Sequence, residues 1–133
     1  MTYILTQPSK HHIELTINGK ISSDDMKHLL DKWMQATASM TEADPNTELQ
    51  NATLLYRINS FAMPSFSAVM VEMKRMPELW ATMKYFGKMA VISEQQWLQK
   101  VAEIEGWMIP NLDIKGFNPE DESAARIWLG IQD

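Results

Sequence analysis

The stretch Met89-Ala90-Val91-Ile92 is an uninterrupted apolar run. Such a run is expected for a central strand of a parallel sheet, because other elements cover both faces of that strand. Residues 52–58 are also mostly apolar and predict a second, largely buried strand. Since sequence of helical periodicity separates the two stretches, they predict an α/β fold with parallel strands.

The N-terminal residues predict an antiparallel hairpin at one edge of this sheet. Ile13, Leu15 and Ile17 alternate with polar residues, which is the period-2 pattern of a half-buried strand. Residues 3–6 form a short β-prone segment before it, and Pro8 is expected to end that segment. The two segments are close enough in sequence to pair with each other.

Helical periodicity marks two segments that precede the apolar run. Ser22 and Asp25 resemble a capping box, and the apolar residues after them predict an amphipathic helix of about four turns. Residues 41–51 are polar and are expected to form a loop. Residues 64–85 predict a broken helix pair, because Pro77 interrupts the helical pattern.

The C-terminal third completes the alternation of strands and helices. Ser93 begins a capping box for a helix that Gly106 is expected to end. Residues 112–117 predict the last strand, and Asn118 and Gly130 are the expected caps of the final helix. The chain therefore predicts a mixed, mostly parallel sheet of about five strands with helices packed against it and an antiparallel edge hairpin.

The composition is that of an ordinary globular chain, with 45% hydrophobic and 22% charged residues. A length of 133 residues is that of one domain, so residues 1–133 are expected to form a single domain. The chain has no cysteine, which excludes disulfides and cysteine-based metal or thiol chemistry. A net charge of −5 and a pI near 5.1 argue against nucleic-acid binding.

No targeting or membrane-spanning segment is expected from this sequence. Residues 1–10 lack a basic region followed by an apolar one, and no run approaches the roughly 20 apolar residues that span a bilayer. We therefore expect a cytoplasmic protein, which would meet a membrane only as a peripheral protein at its inner face.

Signals of catalysis are weak in this sequence. The glycines are scattered at the ends of elements, and neither a phosphate-binding loop nor a nucleophile elbow is present. His11 and His12 would point to opposite faces of a strand, so a shared metal ion is not expected. We expect a non-enzymatic protein with no metal and no cofactor. A small-substrate enzyme with a pocket where strands 52–59 and 89–92 end ranks last.

The middle third of the chain combines methionine and aromatic residues with lysine and arginine. At helical spacing, such a stripe is more often ordinary core than a binding surface. Phe66, Met70 and Met73 are expected to line one helical face, and Val71 and Met76 fall off that face. Leaving five such large side chains exposed would forfeit roughly 7–15 kcal/mol, so something must cover them. The sheet, a second subunit, an apolar ligand and a bilayer surface are the four available covers.

Two functions fit a surplus of apolar helix surface. The first is a non-enzymatic domain for an apolar or lipid-like ligand, with residues 64–85 as a mobile lid that rests on a membrane when open. The alternative is a protein-interaction or regulatory module, a homodimer or hetero-oligomer that buries the same stripe. The predicted ligand- or membrane-binding residues are Met63, Phe66, Met70, Met73, Met76, Trp80, Met83, Trp107 and Met108, and the predicted headgroup-facing residues are Lys74, Arg75 and Lys84.

Three stretches resemble the SpoIIAA-like proteins of the STAS fold group, and together they cover nearly the whole chain. They are residues 17–21 leading into Asp24 and Asp25, residues 86–92 leading into Gln96 and Trp97, and Phe117 leading through Glu122, Ala124 and Ala125 to Trp128 and Leu129. The resemblance implies a small α/β domain with a mixed sheet, helices packed mainly on one face, and kinship in fold with CRAL-TRIO lipid-binding domains. It also implies ligand binding or membrane association.

The anti-anti-sigma factors of the same fold carry a phosphorylatable serine in a D-S-S-G-like turn. The equivalent residues 59–64 of this sequence hold Ser60 without the acid and without the glycine. A phosphorylation switch is therefore not carried over to this chain.

Overall fold

The computed structural model describes residues 3–9, 11–43, 52–59, 70–71, 73–83, 85–107 and 112–131. Within these ranges the strands are β1 (Tyr3–Ser9), β2 (His12–Asn18), β3 (Ala52–Asn59), β4 (Phe86–Ser93) and β5 (Asp113–Phe117). The helices are α1 (Ser23–Ala43), α2 (Met76–Met83), α3 (Gln96–Trp107) and α4 (Glu122–Leu129), and a 3-10 turn spans Pro119–Asp121. Residues 70, 71, 73 and 74 are also helical.

The strands form one sheet in the order β1-β2-β3-β4-β5. β1 and β2 are antiparallel, whereas β2, β3, β4 and β5 run parallel to one another. Each parallel connection contains a helix, as a crossover between parallel strands requires. The arrangement confirms the predicted mixed, mostly parallel α/β sheet with an antiparallel hairpin at one edge.

Each face of the sheet has its own core, because successive residues of a strand point to opposite faces. The larger core contains Ile13 and Leu54 of the sheet together with Trp33 of α1, and residues of α2 pack against it. The smaller core, on the opposite face, contains Leu55 of β3 and Ala125 of α4. The structure thus places most of the helices on one face, as the family resemblance implies.

Gln99 of α3 bonds to the ends of two neighbouring strands. The side-chain amide of Gln99 donates hydrogen bonds to the carbonyl oxygens of Ser93 and Phe117, at 2.8 and 3.0 Å, and to Asn118 Oδ1 at 3.1 Å. Asn118 therefore makes no side-chain cap, and the chain enters a 3-10 turn before α4 begins. Asn118 stands at the N-cap position of this turn, as predicted, but its side-chain oxygen accepts from Gln99 and makes no cap bond.

Three other predicted boundaries differ from the structure. β1 continues through Pro8, since an edge strand tolerates a residue without an N–H, and the pairing register shifts between Thr6 and Ser9. α1 extends to Ala43, into the predicted loop, and the complete burial of Met40 holds its last turn. α3 includes Gly106, because glycine near a helix end costs only about 1 kcal/mol.

Other predicted signals are found where the sequence places them. The Asp25 N–H donates to Ser22 Oγ at 3.1 Å, as in a helix N-cap. Gly130 ends α4 in the left-handed conformation with φ of 79°, which glycine adopts without steric cost. β4 begins at Phe86, three residues before the apolar run, and Phe86 is buried in the larger core.

No helix in the described part of the chain is both long enough and apolar enough to cross a bilayer.

Candidate functional site

The middle third of the chain contains two short helical segments joined at Arg75. The Arg75 N–H donates to the Val71 carbonyl at 3.3 Å, and the Leu79 N–H donates to the Arg75 carbonyl at 3.1 Å. Arg75 itself lies in a turn, and α2 begins at Met76 with Pro77 in its first turn. Proline is favourable there because its missing N–H would have no partner inside the helix. The predicted interruption is present, two residues before the proline.

One side of these segments is anchored to the rest of the protein. Val71, Leu79 and Met83 pack against the larger core. Trp33 Nε1–H donates to Thr82 Oγ1 at 2.9 Å, and the Thr82 hydroxyl donates to the Leu79 carbonyl at 2.7 Å. Both groups are buried, so each hydrogen bond satisfies a polar atom that water does not reach. The anchored side therefore has a defined position against α1.

The opposite side exposes three methionines, Met70, Met73 and Met76, which we name the methionine surface. Their side chains are 38%, 59% and 36% exposed. Residues three apart are neighbours on a helix surface, so Met70 and Met73 form a common apolar area. Val71 packs against the larger core while Met70 and Met73 are exposed, so Val71 lies off the face that Met70 and Met73 share.

The charges around the methionine surface are balanced. Arg75 Nη1 lies 2.7 Å from Asp31 Oδ1, and Arg75 Nε lies 3.1 Å from Glu78 Oε2. The hydrogen bond to Asp31 contributes most to a raised pKa of Arg75. Lys74 is exposed beside this group. Among the described residues, two cations and two carboxylates thus border the surface, and their charges sum to zero.

Several predicted site residues lie outside the part of the chain that the structure describes. They are Met63, Phe66, Lys84 and Met108, and the side chains of Trp80 and Trp107 are likewise outside it. Met83 is partly buried against the core. The apolar pocket beneath the helix pair depends on several of these residues and stays a prediction, as does contact of Lys74 and Arg75 with lipid headgroups.

A second feature is a group of four charged side chains on the other face of the sheet, Glu14, Arg57, Glu122 and Arg126, which we name the charged cluster. Arg57 Nε lies 2.6 Å from Glu122 Oε1, and Arg57 Nη2 lies 3.1 Å from Glu14 Oε1. Arg126 Nη1 lies 2.9 Å from Glu14 Oε2. The carboxylate of Glu14 is only 12% exposed. These pairs join α4 to the neighbouring strands β2 and β3.

A buried histidine extends the charged cluster. His12 Nε2 lies 3.0 Å from Glu14 Oε2, and His12 Nδ1 lies 2.7 Å from Thr53 Oγ1. The sequence offered a weak signal for this network, because Arg57 stands within a mostly apolar strand and Glu14 within the polar side of another. The arginine partners of Glu14 and Glu122 were not predicted from the sequence.

The environment of Glu14 favours its ionised form. Burial by itself raises the pKa of this carboxyl, but hydrogen bonds from Arg126, His12 and Arg57 outweigh burial and lower the pKa to about 2. The hydrogen bond from Arg57 also lowers the pKa of Glu122. Both acids of the charged cluster are thus ionised near neutral pH, where they pair with the two arginines.

Acid is expected to destabilise the protein through Glu14. Its pKa falls from 4.5 to about 2 on folding, so its stabilisation is complete above pH 4.5 and is lost as the pH falls towards 2. Allowing for partial exposure, the loss is about 2 kcal/mol. Urea unfolding at several pH values measures it, with Glu14→Gln expected to remove this part of the pH dependence. An equal effect of Glu120→Gln, which removes an exposed carboxylate, would contradict the assignment.

The described residues contain no group of three or more histidine, aspartate or glutamate side chains that could hold a metal ion. The methionine surface is the candidate binding site because its apolar side chains are exposed, whereas the charged cluster joins α4 to the sheet.

The sheet order, the helix in each crossover and the edge hairpin are those of an α/β protein of the STAS fold group. A family model described as SpoIIAA-like matches residues 12–130. The chain therefore belongs to the SpoIIAA-like family, which confirms the resemblance seen in the sequence.

Two solved structures are similar to this chain. One is an uncharacterized protein of the DUF3478 family with a SpoIIAA-like fold from Shewanella loihica PV-4, with a TM-score of 0.69, 18% identity, and coverage of 96% of this chain and 93% of that chain. The other is the anti-sigma factor antagonist SpoIIAA in its unphosphorylated form, with a TM-score of 0.54, 14% identity, and coverage of 95% and 97%. At these identities the likeness shows the shared fold. No curated protein matches the sequence.

Proposed function

We propose that this SpoIIAA-like chain is a non-enzymatic regulatory module whose methionine surface binds an apolar face of a partner protein. The observation that carries the proposal is the exposure of Met70, Met73 and Met76 on segments whose other side is anchored. In the free protein the apolar side chains of these three methionines are in contact with water, which is unfavourable. A partner that covers them removes this apolar area from water and so gains binding free energy.

Methionine suits contact with a protein surface. Its side chain is unbranched and polarizable, so it adapts to the irregular shape of a partner. Val71, Leu79 and Thr82 already fix the backbone of these segments against the rest of the protein. Binding of a partner would therefore cost less conformational entropy. A similar structure is described as an anti-sigma factor antagonist, a name that implies action on another protein, and this supports a regulatory role for the shared fold.

A second candidate function is binding of an apolar or lipid-like ligand or of a membrane surface. The observation that favours it is the exposed Lys74 beside the methionines, an arrangement found in helices that meet anionic headgroups. Two observations weigh against it. Arg75 is already paired with Asp31 and Glu78, and the net charge of the chain is −5, so an anionic bilayer would repel the protein at long range.

Replacement of all three methionines by glutamine is expected to weaken partner binding at least tenfold, or about 1.4 kcal/mol, because the substitution removes apolar contact without adding charge. Affinity purification from the cells that produce the protein would identify the partner. Isothermal titration calorimetry with the purified partner then measures Kd for wild type and the triple variant. The matched control is Ile104→Gln with Ile127→Gln, since these exposed apolar residues lie on α3 and α4.

Two results would contradict the proposal. One is an equal loss of affinity in the control variant. The other is flotation of the wild-type protein, but not the methionine variant, with vesicles of anionic phospholipid when no protein partner binds. That second result would replace protein binding with the lipid function.

A further inference from the structure

The two edges of the sheet differ in how their backbone groups are satisfied. β1 and β5 are the edge strands. At the β5 edge, the Gly116 N–H donates to Glu103 Oε2 at 2.8 Å, and α3 packs along the strand. At the β1 edge, no backbone group of residues 3–6 bonds to any other described element besides its β2 partner. The outer side of β1 is thus open for pairing within the described part of the chain.

The open part of β1 also lacks the features by which proteins usually protect a sheet edge. Lysine, proline, bulges and covering elements are the common devices, because an unprotected edge pairs with other chains. Pro8 and the register shift between Thr6 and Ser9 protect only the second half of the strand. Residues 3–7 are uncharged and contain no proline. A short stretch of the strand therefore keeps its capacity to accept another strand.

A groove lies between this open edge and α1. Its volume is about 340 Å³, and the strand side is formed by Leu5, Thr6 and Gln7. The helix side includes Lys32 and Ala36, which are four residues apart and therefore share a face of α1. A strand that paired with β1 would direct every second side chain into this groove and the others to the opposite face of the sheet.

Among the described residues that line the groove, Lys32 is the one that carries a charge. Its Nζ lies 5.7 Å from the centre of the Tyr3 ring, and it forms no ion pair with a described residue. On the opposite face of the sheet, Ile4 is 54% exposed, and a neighbouring strand would cover it with an apolar side chain. An added strand would therefore fit best with an acidic side chain facing Lys32 in the groove and an apolar side chain beside Ile4 on the opposite face.

We propose that the outer edge of β1 and the adjoining groove bind an extended segment of another protein by strand addition, with an acidic side chain facing Lys32 and an apolar one beside Ile4. Main-chain hydrogen bonds would provide affinity, and the two alternating side chains would provide specificity. A second copy of this chain fits less well, because residues 3–9 contain no acidic residue. This site is separate from the methionine surface and does not depend on its function.

Selection of phage-displayed random octapeptides on the full chain tests the site. Enriched peptides are expected to alternate acidic and apolar residues. In fluorescence anisotropy, Lys32→Glu should raise the Kd of the best synthetic peptide at least tenfold, since the attraction between Lys32 and the acidic side chain becomes repulsion. The matched control Lys27→Glu changes an exposed lysine of α1 that does not line the groove, and it should change Kd less than twofold.

Exchanging the charges of the protein and the peptide distinguishes a loss of recognition from a loss of folding. A peptide with lysine in place of its acid should bind Lys32→Glu at least tenfold better than it binds wild type. NMR amide shifts on peptide addition should map to residues 4–6 and to α1 near Lys32. Ile4→Lys, which adds a charge to the exposed edge, should abolish binding.

Three outcomes would overturn the proposal. The first is a selection that enriches no peptide, and the second is equal weakening by Lys27→Glu and Lys32→Glu. The third is a concentration-dependent dimer in light scattering that Ile4→Lys dissociates, which would assign the edge to a second copy of the chain.

Discussion

Replacing Arg57 by alanine is expected to lower the free energy of unfolding by about 3 kcal/mol. Arg57 donates hydrogen bonds to both acids of the charged cluster, with distances of 3.1 Å to Glu14 and 2.6 Å to Glu122. Its loss leaves two half-buried carboxylates with Arg126 as the remaining arginine. Because those acids lie on β2 and α4, the contact of α4 with the sheet is weakened as well. Urea unfolding followed by tryptophan fluorescence measures the change.

The matched control for Arg57→Ala is Arg75→Ala, the same substitution in an exposed network. The partners of Arg75 are 60% and 54% exposed, so water solvates both carboxylates after the arginine is removed. We expect a loss of about 0–1 kcal/mol for Arg75→Ala. Equal losses in the two variants would show that burial of the charged cluster contributes nothing.

Replacing Gly116 by alanine is also expected to cost about 3 kcal/mol, through overpacking rather than loss of charge. A Cβ atom at this position would overlap Gln99 Cβ and lie 2.8 Å from Gln99 Cγ. The overlapping atom lies next to the backbone of α3, so a change of rotamer cannot remove the clash. The helix would have to move away from β5 and weaken the Gln99 bonds to Ser93 and Phe117. Thermal unfolding by circular dichroism would detect the change.

Gly130→Ala provides the comparison for this substitution. No atom lies within 4 Å of a Cβ built at Gly130, but its φ is +79°. The expected cost of about 1 kcal/mol comes from the left-handed backbone alone. A cost for Gly116→Ala that is no larger than this would mean that α3 adjusts freely.

The two surfaces proposed for binding have different physical origins. The methionine surface is apolar side-chain area on short helical segments, and it would bind without ordering the backbone further. The β1 edge offers backbone hydrogen bonds and one cation, Lys32.

Local sequence signals predicted most of the fold. The apolar run in β4, the alternation in β2 and the caps at Ser22 and Gly130 all depend on residues close in sequence, and the structure confirms each of them. Errors occurred where a distant residue changed the local preference. Asn118 bonds to Gln99 rather than to the start of the next helix.

The candidate sites could be predicted from the sequence less completely than the fold. Sequence predicted that the middle third would be rich in apolar surface, but not that Val71 would face the core while Met70 and Met73 face solvent. The charged cluster joins Glu14 to Arg126, 112 residues away in sequence, and no local pattern shows such a pair. The open edge at β1 likewise follows from the order of the strands.

The order of strands and helices was thus determined by the sequence itself, because periodicity and capping act over a few residues. Only the tertiary structure decided which apolar side chains remain exposed and which charges meet. Those outcomes depend on how strands align and how helices rotate against the sheet, and that alignment is a property of the whole packed chain.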